Sequence, residues 1–417
     1  MKVIVAGAGI GGLVTALMLH ARGIACEVYE QAETVRELGV GINVLPHAIA
    51  ELDRLGLLPQ LDAIGIRTRE LIYATAAGQP VWQEPRGIDA GFEVPQFSIH
   101  RGRLQGAIYQ AVLERLGPGA VRPGARLAAW EQDAHGVTAQ FVDRTGAVVA
   151  DAAGDVLIGA DGIHSVVRGR FYPGEGPPSW NGIMLWRGAT DWPVFLDGRT
   201  MIIAGGMAAK AVVYPIAPGI APGTRLTNWA IAVTVGGRTL PRREDWSRRG
   251  DPADLAPHVG RFTLPQLDLP GLIAATPEFW EYPMCDRDPL PWWSEGRVTL
   301  LGDAAHPMYP VGSNGASQAI LDARCLADCL ADCLADCSAA GTPDAALLRY
   351  EAERRPKTAA IVQSNRVGGP EGVIDVVEQR APNGFADLDA VLPHAAREAI
   401  VRGYAQQAGF QPERDRR

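Results

Sequence analysis

The residues best suited to chemistry lie in one run, Gly302-Asp303-Ala304-Ala305-His306-Pro307-Met308-Tyr309-Pro310-Val311-Gly312-Ser313-Asn314-Gly315. A carboxylate at Asp303 accepts hydrogen bonds from sugar or polyol hydroxyls, and glycines at 312 and 315 let main-chain N–H groups approach a flat ligand. A helix expected at 316–326 would aim its positive end at that ligand, which suits a group that gains negative charge during reaction. Taken alone, the run is equally an ordinary strand-to-helix turn.

The elements that must position this loop begin with the buried-strand run Arg297-Val298-Thr299-Leu300-Leu301. Near the N-terminus, the strand Lys2-Val3-Ile4-Val5-Ala6, the turn Gly7-Ala8-Gly9-Ile10-Gly11-Gly12, a helix over 13–22 and a strand over 25–29 with Glu30 at its tip form a βαβ unit. That is the dinucleotide-binding fingerprint in its required setting, with glycines for close approach, a helix N-terminus for pyrophosphate and an acid for ribose hydroxyls. A third run, Asp161-Gly162-Ile163-His164-Ser165 with Arg168, follows another buried strand. For any one of Asp161, Ser165 and Arg168, a strand-to-helix cap with a salt bridge is the alternative.

Composition sets limits on function. With 417 residues, a net charge of −8, 47% hydrophobic and 21% charged residues, the chain reads as a globular protein of about two to three domains without a nucleic-acid partner. Residues 3–19 carry no charge, but the glycines at 7, 9, 11 and 12 spoil that stretch as a spanning or signal helix. A cytoplasmic protein with no membrane partner is expected. Cys325, Cys329, Cys333 and Cys337 fall in a repeated Cys-Leu-Ala-Asp unit on one expected helix. The first and last would lie ~18 Å apart along it. They cannot share one ion, so a packing stripe is expected and no metal site.

The loop at 31–43 holds Arg36, Gly39 and Gly41, and Arg36 either clamps a cofactor or is solvated. Arg101 opens a helix over 100–116, where a cation opposes the dipole; it calls for an anionic partner, a phosphate in preference to an internal salt bridge. Strands rich in aromatic and β-branched residues occupy 183–187, 200–204, 211–216 and 229–235, and a helix over 344–355 is expected to stop at Pro356. The fold class is α/β with α+β elements. A Rossmann-like domain (1–70, 98–178, 285–370) carries an inserted, mainly antiparallel β-sheet domain (71–97, 179–284), and a helical segment (371–417) follows.

In their order and spacing, the runs at 7–30, 161–168 and 302–307 resemble the three signatures of class A flavoprotein aromatic hydroxylases, the para-hydroxybenzoate and salicylate hydroxylase type, over residues 1–365. Within that family, Glu84-Pro85-Arg86-Gly87, Met184-Leu185-Trp186-Arg187-Gly188 and Met308-Tyr309-Pro310 are most similar to its phenazine-carboxylate monooxygenase branch. The cysteine repeat and the residues after 369 depart from it. The resemblance implies FAD, with Gly7, Gly9 and Gly12 at the pyrophosphate, Glu30 at the adenosine ribose, Arg36 and Arg101 near the phosphates and ribityl chain, and Asp303 on the ribityl hydroxyls. Gly312, Asn314 and Gly315 would offer N–H groups to the flavin ring, while glycines at 39, 41, 312 and 315 leave the ring room to move. Asp161 and Arg168 would support FAD and nicotinamide use.

The implied reaction consumes NADH or NADPH and O2, with oxygen passing from a flavin C4a-hydroperoxide to a small, electron-rich aromatic substrate. Epoxidation, Baeyer–Villiger insertion and a reductase or oxidase without hydroxylation are the rivals. Met184, Trp186, Tyr214, Met308, Tyr309 and Pro310 are candidates for lining an apolar pocket, with plain core packing the alternative for each aromatic. Arg187 meets either a substrate carboxylate or an internal acid. His306 is expected to be structural, and a monomer or homodimer is expected.

Overall fold

The computed structural model describes residues 1–34, 39–237, 248–335 and 341–411. Val3, Ile4 and Val5 are fully buried because Lys2–Ala6 lies inside a six-stranded sheet. In spatial order its strands are Ser294–Glu295, Val298–Leu300, Val156–Gly159, Lys2–Ala6, Ala25–Glu30 and Val121–Pro123, all parallel except the short first edge. Strands buried on both faces read as continuous apolar runs, as these do. The helices Ile10–Ala21, Arg101–Leu116 and Gly315–Ala335 pack together beside this sheet. A separate antiparallel meander is formed by Arg126–Gln132, Val137–Val142 and Val148–Gly154.

This topology explains why three motifs spread over some 300 residues of sequence belong to one site. Lys2–Ala6, Val156–Gly159 and Val298–Leu300 are adjacent and parallel, with Ala6 level with Gly159 and Gly159 level with Leu300. The runs beginning at Gly7, Asp161 and Gly302 therefore leave the sheet side by side at its carboxyl edge, where open α/β sheets bind ligands.

A seven-stranded sheet runs Phe279–Asp286, Ser179–Pro193, Thr224–Thr234, Ala209–Pro218, Thr200–Ala204, Glu70–Ala74, Pro80–Pro85, antiparallel except between Thr200–Ala204 and Glu70–Ala74. One face packs on Leu255, Leu269 and Leu272 of two short helices. The other meets Val373, Ile374, Val377 and Val401 of the C-terminal segment.

Two local expectations fail. Gly41–Val44, whose first three residues belong to the loop expected at 31–43, is a strand, because it pairs antiparallel with the distant Gln96–His100; pairing at that separation leaves no mark on local pattern. The helix Pro343–Arg366 passes straight through Pro356. Proline forfeits one helical hydrogen bond, the one its N–H would give the Ala352 carbonyl, and Ala352 is exposed, so solvent can serve that acceptor. Buried residues on both sides, Leu347 and Tyr350 before and Ile361 and Val362 after, keep both halves seated.

On Gly315–Ala335, Cys325 and Cys333 are buried with Leu326 and Leu330, Asp332 faces solvent, and Cys337 lies outside the described residues. Among the described residues no group of three or more His, Cys, Asp or Glu is placed to hold a metal, and no helix is long and apolar enough to cross a membrane.

Candidate active site

The glycine turn contains two kinds of glycine. A Cβ on Gly12 would stand 2.0 Å from the Gly7 carbonyl oxygen, and one on Gly7, at φ 112°, would stand 2.3 Å from that of Ala160. These two glycines are required by strand–helix packing. Gly9 has open space around its Cα and begins the Ile10–Ala21 helix with no side-chain cap. Its free helix end is an anion cradle, which fits a pyrophosphate.

Glu30 already organises this cradle, accepting from Ala8 N at 2.7 Å and Ala32 N at 2.8 Å. Arg101 is exposed beside Gly39, and its side chain makes no salt bridge to a described residue, which leaves its charge available to a phosphate. Arg36 lies outside the described residues.

Asp303 opens to solvent along the cleft, whose walls still push its carboxyl upward; neighbouring His306 and Arg101 oppose that push. Asp161 accepts from Val166 N at 2.7 Å through one oxygen, while its other oxygen, buried, has no partner. Burial raises its carboxyl, and a ligand hydroxyl or amide would satisfy it.

The cap alternative describes the rest of this motif: Ser165 Oγ accepts from Arg168 N at 3.0 Å. Direct contact between Arg168 and a cofactor is excluded. Its guanidinium, 1% exposed, donates to Glu175 twice and to the carbonyls of Ala304, Ala305 and Asp288. All five of its donors are used, and its role is to brace the Asp303 loop from behind.

The Gly312 N–H reaches Glu371 Oε1 at 3.3 Å, and Asn314 is fully buried, donating to the Gly312 carbonyl and to Tyr404 Oη. The Gly312 N–H is thus engaged within the protein, and the Asn314 side chain is held away from any ring. Gly315 starts its helix with open space around it.

Strand alternation overturns the grouping of Met184, Trp186 and Arg187. Successive side chains on a strand point to opposite faces. Met184 and Trp186 pack on the rear face, where Trp186 donates to Glu281 at 3.2 Å, whereas Arg187 and Tyr214 face the cleft. Arg187 donates to the Gly41 carbonyl and to Tyr282 Oη and lies near Tyr214; no carboxylate among the described residues pairs with it, and its buried Nε has no partner. Gly41 is there for packing, since a Cβ would stand 2.7 Å from Tyr214 and from Ile216. Tyr309 is buried with Ile183, Met284 and Val311, Met308 packs near Leu45, and Pro310 is exposed, outside the lining of the cavity described next.

A cavity of about 240 Å³ lies between this sheet's cleft face and the C-terminal helix His394–Ala408, and it reaches Gly312 and Ser313. Its apolar wall includes Leu71, Tyr73, Met201 and Ile203. Gln96, 2% exposed, has an unpartnered Oε1, and Arg86, paired with Glu84 at 2.5 Å, has an unpartnered Nε. Sequence reasoning missed these lining residues. The signal for Arg86 was its presence in the Glu84–Gly87 run, and none marked Gln96.

The fold and site define an FAD-dependent aromatic-ring monooxygenase. The family described as FAD binding domain matches residues 1–260 and 275–365, and the chain belongs to it. It is 47% identical over 368 residues to phenazine 1,6-dicarboxylic acid hydroxylase PhzS of Lysobacter antibioticus, covering 87% of this chain and 89% of that one. It is 32% identical over 377 residues to 3-hydroxybenzoate 6-hydroxylase 1 of Aquipseudomonas alcaligenes, covering 88% of each. The structure of Klebsiella pneumoniae HpxO complexed with FAD and uric acid superposes with a TM-score of 0.72 at 26% identity, covering 99% of this chain and 97% of that one. The enzyme uses FAD, with NAD(P)H and O2 as co-substrates.

Proposed function

We propose that the chain hydroxylates a planar, electron-rich aromatic acid of the phenazine-carboxylate kind, bound in the cavity between the seven-stranded sheet and the C-terminal helix. The observation that carries this reading is that an unpartnered, buried Gln96 Oε1 and an unpartnered Arg86 Nε belong to one cavity, whose wall combines Leu71, Tyr73, Met201 and Ile203 with the polar Gln83, Glu84 and Arg402. Desolvated donors and acceptors without partners cost free energy until a ligand satisfies them. A substrate carboxylate suits Arg86, and an N–H or O–H on the ring suits Gln96. The volume is below the ~300–1,000 Å³ usual for drug-sized ligands, which favours one small, flat molecule. The relatives that act on phenazine 1,6-dicarboxylic acid and 3-hydroxybenzoate have aromatic acids as substrates, which supports the same class here.

Bound FAD supplies the redox chemistry and the activation of oxygen. The chain's own residues do the rest. Gly9 and the helix behind it cradle the pyrophosphate, Glu30 and Asp303 take ribose and ribityl hydroxyls, and the apolar sheet face keeps water from the reacting ring. Arg187 ties Gly41 to the sheet and adds positive potential to the cleft. In this division of labour, segments 1–70, 98–178 and 285–370 hold the cofactor, 71–97 and 179–284 the substrate, and the C-terminal segment closes the cavity.

Phenazine carboxylates, salicylates and hydroxyquinolines should be screened for stimulated NADH oxidation, with ¹⁸O₂ label followed into product. Phenazine carboxylates are expected to stimulate most and to take up label, and Arg86→Gln is expected to raise their KM on the order of tenfold with kcat little changed. Stimulation without label in the product would instead indicate an oxidase.

A further inference from the structure

One continuous chain of buried polar side chains holds the Asp303 loop from behind, and its middle link comes from the far end of the sequence. Asn365 donates to the Tyr309 carbonyl at 3.0 Å, and its Oδ1 accepts from the Tyr404 hydroxyl at 2.8 Å. The same hydroxyl accepts from Asn314 Nδ2 at 2.8 Å, and Asn314 Oδ1 accepts from Gln318 Nε2 at 3.1 Å. Arg354 then donates to Gln318 Oε1 at 2.6 Å and to Asp322 at 2.7 Å, and Asp322 meets His306. No member from Asn365 to His306 is more than 5% exposed. Burial pushes the Tyr404 phenol well above its ordinary range, so it stays protonated and serves as donor and acceptor together.

Tyr404 belongs to the helix His394–Ala408, beyond the residues matched by the family. A Cβ on Gly312 would stand 2.4 Å from its hydroxyl and 2.5 Å from its ring, so Tyr404 also dictates that glycine. The same helix presents Val401, Arg402 and Ala405 to the cavity. One rigid element thus touches both the loop and the place where substrate is proposed to sit. We propose that Tyr404 is a positioning residue that sets the geometry of the 309–315 loop toward FAD and conveys cavity occupancy to it. This rests on the reading above that the loop faces FAD and the cavity takes substrate.

The test uses full-length holoenzyme and Tyr404→Phe, which keeps the ring and removes only the hydroxyl. Two buried amides then lose a partner, and the FAD dissociation constant is expected to rise on the order of three- to tenfold. The change in flavin absorbance on adding phenazine 1,6-dicarboxylic acid is expected to shrink. Unchanged FAD affinity together with an unchanged difference spectrum would overturn the proposal, even with a lower Tm, since mere packing predicts that result.

Asn314→Ser breaks the same link from the other side. The double variant is expected to bind FAD no worse than the weaker single, and additive losses count against the chain. Asp303→Ala separates the two readings. If it keeps full FAD affinity, the assignment of the loop fails; if it loses FAD while Tyr404→Phe changes neither FAD affinity nor the difference spectrum, only the role of Tyr404 fails.

Discussion

Gly9 and Gly12 stand three residues apart in one turn and should respond in opposite ways to a single methyl group. Gly12→Ala drives a Cβ into the Gly7 carbonyl, and overpacking against backbone costs at least about 1–3 kcal/mol. Poor soluble yield and a lowered apoprotein Tm are expected. Gly9 sits at φ −68° with free space around it, a conformation any residue adopts. Gly9→Ala should fold with an unchanged apoprotein Tm yet bind FAD more weakly in fluorescence titration, because its methyl enters the ligand's space.

Asp322 gives a pH prediction at the same scale. Burial pushes its carboxyl up, but neighbouring His306 and Arg354 outweigh burial and hold it below the ordinary aspartate value. The folded state therefore binds that proton less readily than the unfolded chain. Its contribution to stability is present above about pH 4 and is lost as pH falls through the depressed folded value. Calorimetry across pH 2–7 should show a shallower acid decline for Asp322→Asn than for the parent, with a lower Tm at neutral pH.

At the scale of elements, the helix Pro343–Arg366 tolerates Pro356 because tertiary packing holds both halves. Pro356 is exposed, so Pro356→Ala loses little packing and regains a helical hydrogen bond. A gain of about 1–3 kcal/mol in denaturant unfolding is expected. On the helix Gly315–Ala335, Cys325 and Cys329 stand one turn apart, and Cys333 reaches the Gly341 carbonyl at 3.2 Å. Replacing Cys325, Cys329 and Cys333 by Ala should leave kcat/KM within about twofold, since the stripe faces the core away from the cleft; a larger loss would mean that the repeat shapes the site.

At the scale of the whole molecule, the chain has one dinucleotide fingerprint and uses two dinucleotides, FAD as cofactor and NAD(P)H as co-substrate. We assign residues 7–30 to FAD, so the nicotinamide must visit and leave, while the same flavin ring must be shielded during oxygen transfer. A ring that moves between a reducible and a shielded position meets both demands, and substrate that favours the former would accelerate reduction. Anaerobic stopped-flow reduction at fixed NADH should be much faster with a bound phenazine carboxylate than without it. Equal rates would remove substrate gating.

How much of this was legible depended on how local the determining interaction is. The glycine turn with Glu30, the Asp161 run and the Asp303 loop were readable in the sequence, because each is a short segment whose backbone demands are met by residues within it. Their order along the chain also pointed to the architecture, since apolar strand runs precede each one and parallel strands bring their ends together. Which way a side chain faced was half legible: alternation alone should have separated Arg187 from Met184 and Trp186, but only packing on Leu255, Leu269 and Leu272 told which face was the rear. The strand character of Gly41–Val44, the full employment of Arg168 and the cavity residues Arg86 and Gln96 depend on partners distant in sequence. So does the reason for glycine at 312. Looking along the loop, flexibility for a ligand accounts for it; in the fold, the ring of Tyr404, arriving from the last helix, fills the space that any side chain there would need.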